Sequence, residues 1–175
     1  MEREPEPWLR GTHGHLPAVV RAVVHALELA REDAERWCGE LSDEQMHLRP
    51  AGIAPMAFQL RHGVRSLDRL LTYAESKQLN AEQLAGLRTE MDAGMTREAV
   101  LEEFRAGIDA AIGRVRRFAG ANLEEARSVG RKGLPTTVGG LLVHCADHTQ
   151  RHVGQIVTTA KALAALRATA EPEQE

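Results

Sequence analysis

The chain has 175 residues, of which 43% are hydrophobic and 27% are charged, and its 22 basic and 25 acidic side chains give a formal net charge of −3. This length and composition predict one globular domain and exclude a wholly disordered or fibrous protein. The balanced charge argues against a dedicated nucleic-acid-binding protein, which normally carries a strongly basic face.

The sequence predicts neither a secretion signal nor a membrane span. Residues 1–7 are polar and acidic, and no apolar run approaches the roughly 18 residues that a span requires. Two cysteines, Cys38 and Cys145, are too few for a disulfide framework. We therefore expect a cytoplasmic protein with one domain over residues 8–169 and polar tails at 1–7 and 170–175.

Apolar residues recur at three- and four-residue spacing in four long segments, which predicts four amphipathic helices. In chain order these helices cover about residues 16–41, 55–75, 96–118 and 137–169. The hydroxyl of Thr96 can cap the third helix, and that of Thr136 or Thr137 can cap the fourth.

The connections between these helices contain turn residues and little periodicity. A shorter helical segment is expected at 81–91, within the long connection between helices two and three. Residues 128–135 are basic and glycine-rich, so we expect a loop there, and no segment shows the alternation typical of a strand. Four amphipathic helices with one long connection predict an all-α four-helix bundle.

Three histidines in the last helix are the unusual feature of the sequence. His144, His148 and His152 are spaced by four residues, which places their side chains on one helix face. The same face carries residues expected in the core, namely Leu141, Cys145, Ile156, Thr159, Leu163 and Leu166. Burying three imidazoles leaves hydrogen-bonding groups unsatisfied, which a divalent metal ion could correct. The alternative is a set of ordinary helix histidines that are hydrogen-bonded or half-exposed.

A metal ion would need a further ligand from another helix. His62 lies inside helix two, but off its main apolar stripe, so its position neither proves nor excludes a role. It lies about 10 Å along helix two from the start of that helix. If helices two and four are antiparallel, this places it at roughly the same level of the bundle as His148 and His152. His13, His15 and His47 lie at or near helix ends, and His25 is expected on the solvated surface.

Two segments resemble the DinB-like superfamily, namely Phe58–Tyr73 in helix two and Gly140–Gln155 in the last helix. The resemblance implies a four-helix bundle with up-down-down-up order, often a homodimer, that binds zinc, nickel or another divalent ion through three histidines. Carried over to this chain, the ligands are His62, His148 and His152. The neighbours that could support the metal or contact substrate are His144, Asp147, Arg151, Gln155 and Tyr73.

The resemblance also implies a class of chemistry. Relatives include bacillithiol S-transferases and mycothiol-dependent maleylpyruvate isomerases, and many other members are described as metal-dependent hydrolases. We therefore expect a thiol transferase or hydrolase, in which a metal-activated low-molecular-weight thiol or water attacks a small electrophilic substrate. Arg131 and Lys132 could hold an anionic cofactor or form a solvated loop, and Cys145 is expected to be a buried, inert thiol.

Two alternatives follow from the same residues. One is a metal-binding or stress-associated bundle without turnover, since no carboxylate is recognisable as a general base near the histidines. The other is a di-iron bundle, which needs Glu-x-x-His on two helices. The single match, Glu44 to His47, falls in a connection and has no counterpart, so the di-iron alternative is rejected.

Overall fold

The computed structural model describes residues 4–170, with side chains described to residue 166. The expectations for residues 1–3 and 171–175 therefore lie outside the described residues. The chain is mostly helical, with one small two-stranded sheet. Its elements are α1 (Ala18–Cys38), α2 (Asp43–His47), α3 (Met56–Ala74), α4 (Ala81–Thr89), α5 (Arg97–Arg116), β1 (Ala126–Val129), β2 (Leu134–Thr137) and α6 (Val138–Ala170).

The four long helices α1, α3, α5 and α6 correspond to the four predicted ones, and their starts follow local chemistry. Thr96 Oγ1 accepts a hydrogen bond from the Ala99 amide at 3.2 Å and caps α5. Thr137 Oγ1 accepts one from the Gly140 amide at 3.0 Å at the start of α6. Both predicted caps are therefore present.

The long helices pack around one apolar core. Both α1 and α3 pack against α5 and α6, and their buried side chains are mostly aliphatic. Contacts between distant residues link all four of these helix pairs, including α3 with α5 through Arg61–Glu103 and Asp68–Arg114. Two contacts illustrate each of the other three pairs. They are Ala26–Gln150 and Trp37–Lys161 for α1 with α6, Gln59–Gln155 and His62–His148 for α3 with α6, and Arg31–Asp109 and Glu35–Arg105 for α1 with α5.

The expectation of no strand is wrong, because the expected loop at 128–135 belongs to a β-hairpin. β1 and β2 pair antiparallel, with Ala126 opposite Thr137 and Val129 opposite Leu134. Gly130 and Gly133 adopt φ values of 71° and 58° in the turn between them, a conformation that glycine adopts at little cost. The strands are four residues each and half-exposed, so they carry no strong apolar alternation.

Two smaller features also differ from expectation. The helix α2 was not predicted, although Ser42 and Gln45 form a reciprocal capping box at its start. Leu166, expected on the core-facing side of α6, is 61% exposed, whereas Leu163 one turn earlier is buried. Among the described residues, none of the helices combines the length and apolar character needed to cross a membrane.

Candidate metal centre

Three imidazole rings from two helices meet at one point. His62 of α3 lies with its ring centre 5.2 Å from that of His148 and 4.7 Å from that of His152, both on α6. The His148 and His152 ring centres are 4.5 Å apart. One ring nitrogen from each residue lies within 4.8 Å of the other two, as the ligands of one metal ion would. The three predicted ligands are therefore brought together.

The orientation of His62 is set by a buried carboxylate. His62 Nδ1 donates a hydrogen bond to Glu90 Oε2 at 2.7 Å, and Arg69 Nη1 donates to Glu90 Oε1 at 2.8 Å. Ser66 Oγ lies 3.3 Å from His62 Nε2, and the Phe58 ring stacks on the imidazole. A proton held at Nδ1 leaves the Nε2 lone pair of His62 available to a metal ion.

A side-chain amide orients His152 in the same way. His152 Nδ1 donates a hydrogen bond to Gln59 Oε1. Gln59 Nε2 in turn donates to Gln155 Oε1 at 2.7 Å, which fixes the direction in which the Gln59 amide points. The Nε2 atom of His152 then faces Nε2 of His148 at 3.3 Å.

His148 completes the site and is not satisfied by protein groups. Its Nδ1 is buried and has no hydrogen-bond partner within the described part of the chain. Burial lowers the pKa of His148 to about 4, and the nearby His62 adds to this effect. Burial, with the nearby His148, also lowers the pKa of His152 to about 4. Both imidazoles are therefore neutral at pH 7, the form that binds metals.

The donor set fits a divalent ion of the zinc type. Nitrogen ligands bind Zn²⁺ at ~2.0–2.1 Å, so two of them on a tetrahedral ion lie about 3.3 Å apart. The Nε2 atoms of His148 and His152 are separated by 3.3 Å. With the His152 proton on Nδ1, a proton on His148 Nε2 can donate to His152 Nε2, and a cation bound between the two nitrogens would take the place of that proton. Three imidazole ligands are suited to zinc, nickel, copper or iron rather than to calcium or magnesium.

A cleft opens beside the histidines. Its volume is about 250 Å³, and its wall combines polar and apolar side chains, namely Ser66, Arg69, Leu70, Tyr73, Leu79, Leu87, His144 and His148. Of the predicted neighbours of the site, Tyr73 and His144 therefore line the same cleft as one of the histidines. The cleft has room for a small molecule next to His148.

The other predicted neighbours are placed differently. Gln155 reaches the site through Gln59, as described above. Asp147 and Arg151 are exposed on α6, where Asp147 pairs with His144 Nδ1 at 2.8 Å and with Arg151 Nη2 at 3.2 Å. Their described contacts are with each other and with His144, and not with the three clustered histidines.

Four of the remaining histidines lie outside this site. The expectation that His25 is a solvated surface residue is wrong, because its side chain is buried and its Nε2 lies 3.0 Å from Thr12 Oγ1. Thr12 belongs to the segment before α1, which covers that helix face. His47 Nε2 donates to the Met95 carbonyl oxygen at 2.8 Å, His13 contacts Glu28, and His15 is exposed.

Two further expectations concern Cys145 and the basic loop. Cys145 is fully buried, as predicted, and burial raises its pKa to about 12, which disfavours the reactive thiolate. Arg131 and Lys132 are exposed in the turn between β1 and β2.

Sequence reasoning missed the residues that orient the ligands. No carboxylate is recognisable in the sequence as a general base near the histidines, but in the structure Glu90 contacts His62 directly. Glu90 lies 28 positions further along the chain, just after α4, and nothing local to it indicates burial. Gln59 could have been suspected, because it lies one turn before His62 on α3.

Comparison with known proteins gave one match. Residues 26–156, which include all three clustered histidines, match the DinB superfamily. Comparison with curated proteins and with solved structures found no significant match. The matched region covers more than half of the chain, and the chain therefore belongs to the DinB superfamily.

Proposed function

We propose that this protein is a metal-dependent enzyme, a thiol transferase or hydrolase, whose divalent ion is held by His62, His148 and His152. The observation that carries the proposal is the convergence of three imidazole nitrogens from two helices beside a cleft. An ion with three protein ligands keeps a coordination position for a reactant, as catalytic rather than structural sites do.

The proposed framework is a single four-helix bundle over residues 8–169, with up-down-down-up order. The contacts between distant residues support this order. Contacting positions rise together along α1 and α6, whereas they run in opposite senses along α3 and α6 and along α1 and α5. Parallel α1 and α6, with α3 antiparallel to α6 and α5 antiparallel to α1, give that order.

The chain's own residues prepare the ligands. Glu90 holds the proton of His62 on Nδ1, and Gln59 holds that of His152 on Nδ1, so that the Nε2 atoms face the site. Zinc or nickel bound there would lower the pKa of a thiol or water molecule that it coordinates, which yields a nucleophile at neutral pH.

The cleft indicates the size and character of the second reactant. A volume of about 250 Å³ lies just below the ~300 Å³ at which drug-sized pockets begin, so a small electrophile fits better than a large one. Leucine side chains can contact its apolar part, while Tyr73 and His144 offer hydrogen bonds to its polar end. Neither Asp147 nor Arg151 lines this cleft, and we assign them no contact with substrate.

Metal content tests the ligand assignment. Untagged protein should bind zinc or nickel at His62, His148 and His152, and His148→Ala or His152→Ala should each abolish tight binding there, since two imidazoles hold the ion far more weakly than three. His144→Ala is the matched control, because His144 lies on the same face of α6 but pairs with Asp147. Full metal retention in His62→Ala would show that the third ligand is misassigned.

Turnover distinguishes the enzyme from the alternative, a metal-binding or stress-associated bundle without catalysis. Metal-loaded protein should bind a low-molecular-weight thiol in isothermal titration, or hydrolyse small activated esters or amides, and chelation should abolish both. Metal binding without thiol binding and without hydrolysis would favour the non-catalytic alternative. The cytoplasmic location and the homodimer remain part of the proposal, and light scattering on purified protein tests the dimer.

A further inference from the structure

A second cluster of metal-binding side chains lies outside the site described above. His13, His25 and Glu28 place one ligand atom each within 4.8 Å of one another. His25 and Glu28 are three residues apart on α1 and therefore share one helix face. His13 comes from the segment that precedes the helix. The cluster is thus formed by two separate parts of the chain.

The segment before α1 is attached to that helix at both of its ends. Arg10 donates two hydrogen bonds, at 2.6 and 2.8 Å, to the two carboxylate oxygens of Glu32. Leu16 is buried at the other end of the segment. Between them His13 has a φ of 57°, a left-handed conformation that is uncommon for residues other than glycine. The backbone therefore places the His13 ring against α1.

The three side chains are sheltered from solvent. His25 is 7% exposed, and the side chains of His13 and Glu28 are 17% and 18% exposed. His13 Nε2 donates to Glu28 Oε1 at 2.7 Å, and His25 Nε2 lies 3.0 Å from Thr12 Oγ1. The ring centres of the two histidines are 5.5 Å apart. The Glu28 carboxylate therefore lies against the His13 ring, where a bound cation would meet its negative charge.

We propose that His13, His25 and Glu28 form a second divalent-metal site, which fastens the segment before α1 onto that helix. Two imidazole nitrogens and one carboxylate oxygen are a donor set suited to zinc, and the Thr12 hydroxyl or water can complete the coordination. The ion takes the place of the hydrogen between His13 Nε2 and Glu28, and the neutral imidazole then carries its one proton on Nδ1. This site does not depend on the function proposed for His62, His148 and His152.

The test uses a variant in which the first site is removed. Untagged His148→Ala/His152→Ala protein, stripped with chelator, should still bind one equivalent of Zn²⁺ in isothermal titration. Zinc should also raise its thermal unfolding midpoint, because an ion that binds only the folded state stabilises it. Binding of no zinc by this folded variant would overturn the proposal, whatever the first site binds in the unaltered protein.

A second substitution in that background assigns the ligands. Glu28→Gln keeps the size of the side chain and a hydrogen-bonding oxygen for His13, but it removes the negative charge. It should weaken zinc binding about tenfold or more and abolish the zinc-dependent rise of the unfolding midpoint. His15→Ala is the matched control, because His15 is exposed beside His13 but lies outside the cluster. Unchanged zinc binding in Glu28→Gln, or equal loss in His15→Ala, would contradict the assignment.

Discussion

At the scale of single residues, Glu90 is the most consequential side chain outside the three histidines. Both of its carboxylate oxygens are used, one by His62 Nδ1 and the other by Arg69. The helix before it, α4, has no buried residue, although Glu90 itself is 5% exposed. The connection between α3 and α5 therefore contacts the histidine site through a charged group.

Glu90→Gln should weaken metal binding at the histidine site. The glutamine amide would orient His62 less strongly than the carboxylate does, and it would leave Arg69 without its charged partner. Loss of a group that orients a metal ligand typically lowers metal affinity 10–100-fold. Isothermal titration with zinc measures the change. Glu103→Gln is the control, since Glu103 pairs with Arg61 and Arg65 of α3 without touching a histidine. Equal affinities for the two variants would show that Glu90 is only structural.

The two cysteines should be unreactive in the folded protein. Burial raises the pKa of Cys38 and of Cys145 to about 12, so the thiolate that reacts with disulfide reagents is scarcely populated at pH 8. Ellman's reagent should therefore label neither thiol in native protein and both in urea. Rapid labelling of Cys145 in the native state would contradict its burial and reopen a chemical role for it.

At the scale of elements, the sequence predicts the features that neighbouring residues determine, such as helix caps. It does not predict contacts between residues that are far apart in the chain. Thr96 and Thr137 cap their helices through neighbouring amides, so both starts could be predicted. His25 could not be placed correctly from α1 alone, because the residue that covers it, Thr12, lies before the helix. The contact between His62 and Glu90 was missed for the same reason, since it joins α3 to the end of a separate short helix.

The close packing of α3 against α5 requires a glycine at position 107, where any larger residue would meet Val64. A Cβ atom on Gly107 would lie 2.6 Å from Cβ of Val64, which is buried, so Gly107→Ala requires one helix to move. We expect a loss of about 1–3 kcal/mol in the free energy of unfolding, as for other overpacked cores. Urea denaturation of the metal-free protein measures this loss.

Gly113→Ala on the same helix is the matched control for that prediction. Its added Cβ would meet nothing within 4 Å, so the substitution should stabilise α5 by roughly 0.5–1 kcal/mol through helix propensity. Destabilisation by both substitutions to the same extent would indicate that the close approach of the helices is not the cause.

At the scale of the whole molecule, the histidine site links metal binding to folding. Burial keeps the imidazoles of His148 and His152 neutral, and burying these polar rings costs free energy of folding. Because an ion bound at the three histidines interacts with the folded state, it should raise the free energy of unfolding by an amount that grows with the logarithm of its concentration divided by its dissociation constant. The free-energy cost of burying His148 and His152 should therefore be measured on the metal-free protein.

The metal-free protein should lose stability as the pH falls from about 6.5 to about 4. His148 and His152 have a pKa of about 4 when folded, against the ordinary value of 6.5 expected when unfolded. Across that range the unfolded chain binds protons that the folded chain excludes, so acid favours unfolding, and the stability is fully present above pH 6.5. Urea denaturation at a series of pH values should show a steeper fall for the unaltered protein than for His148→Gln/His152→Gln. Parallel profiles would mean that burial does not hold these two imidazoles in the neutral form.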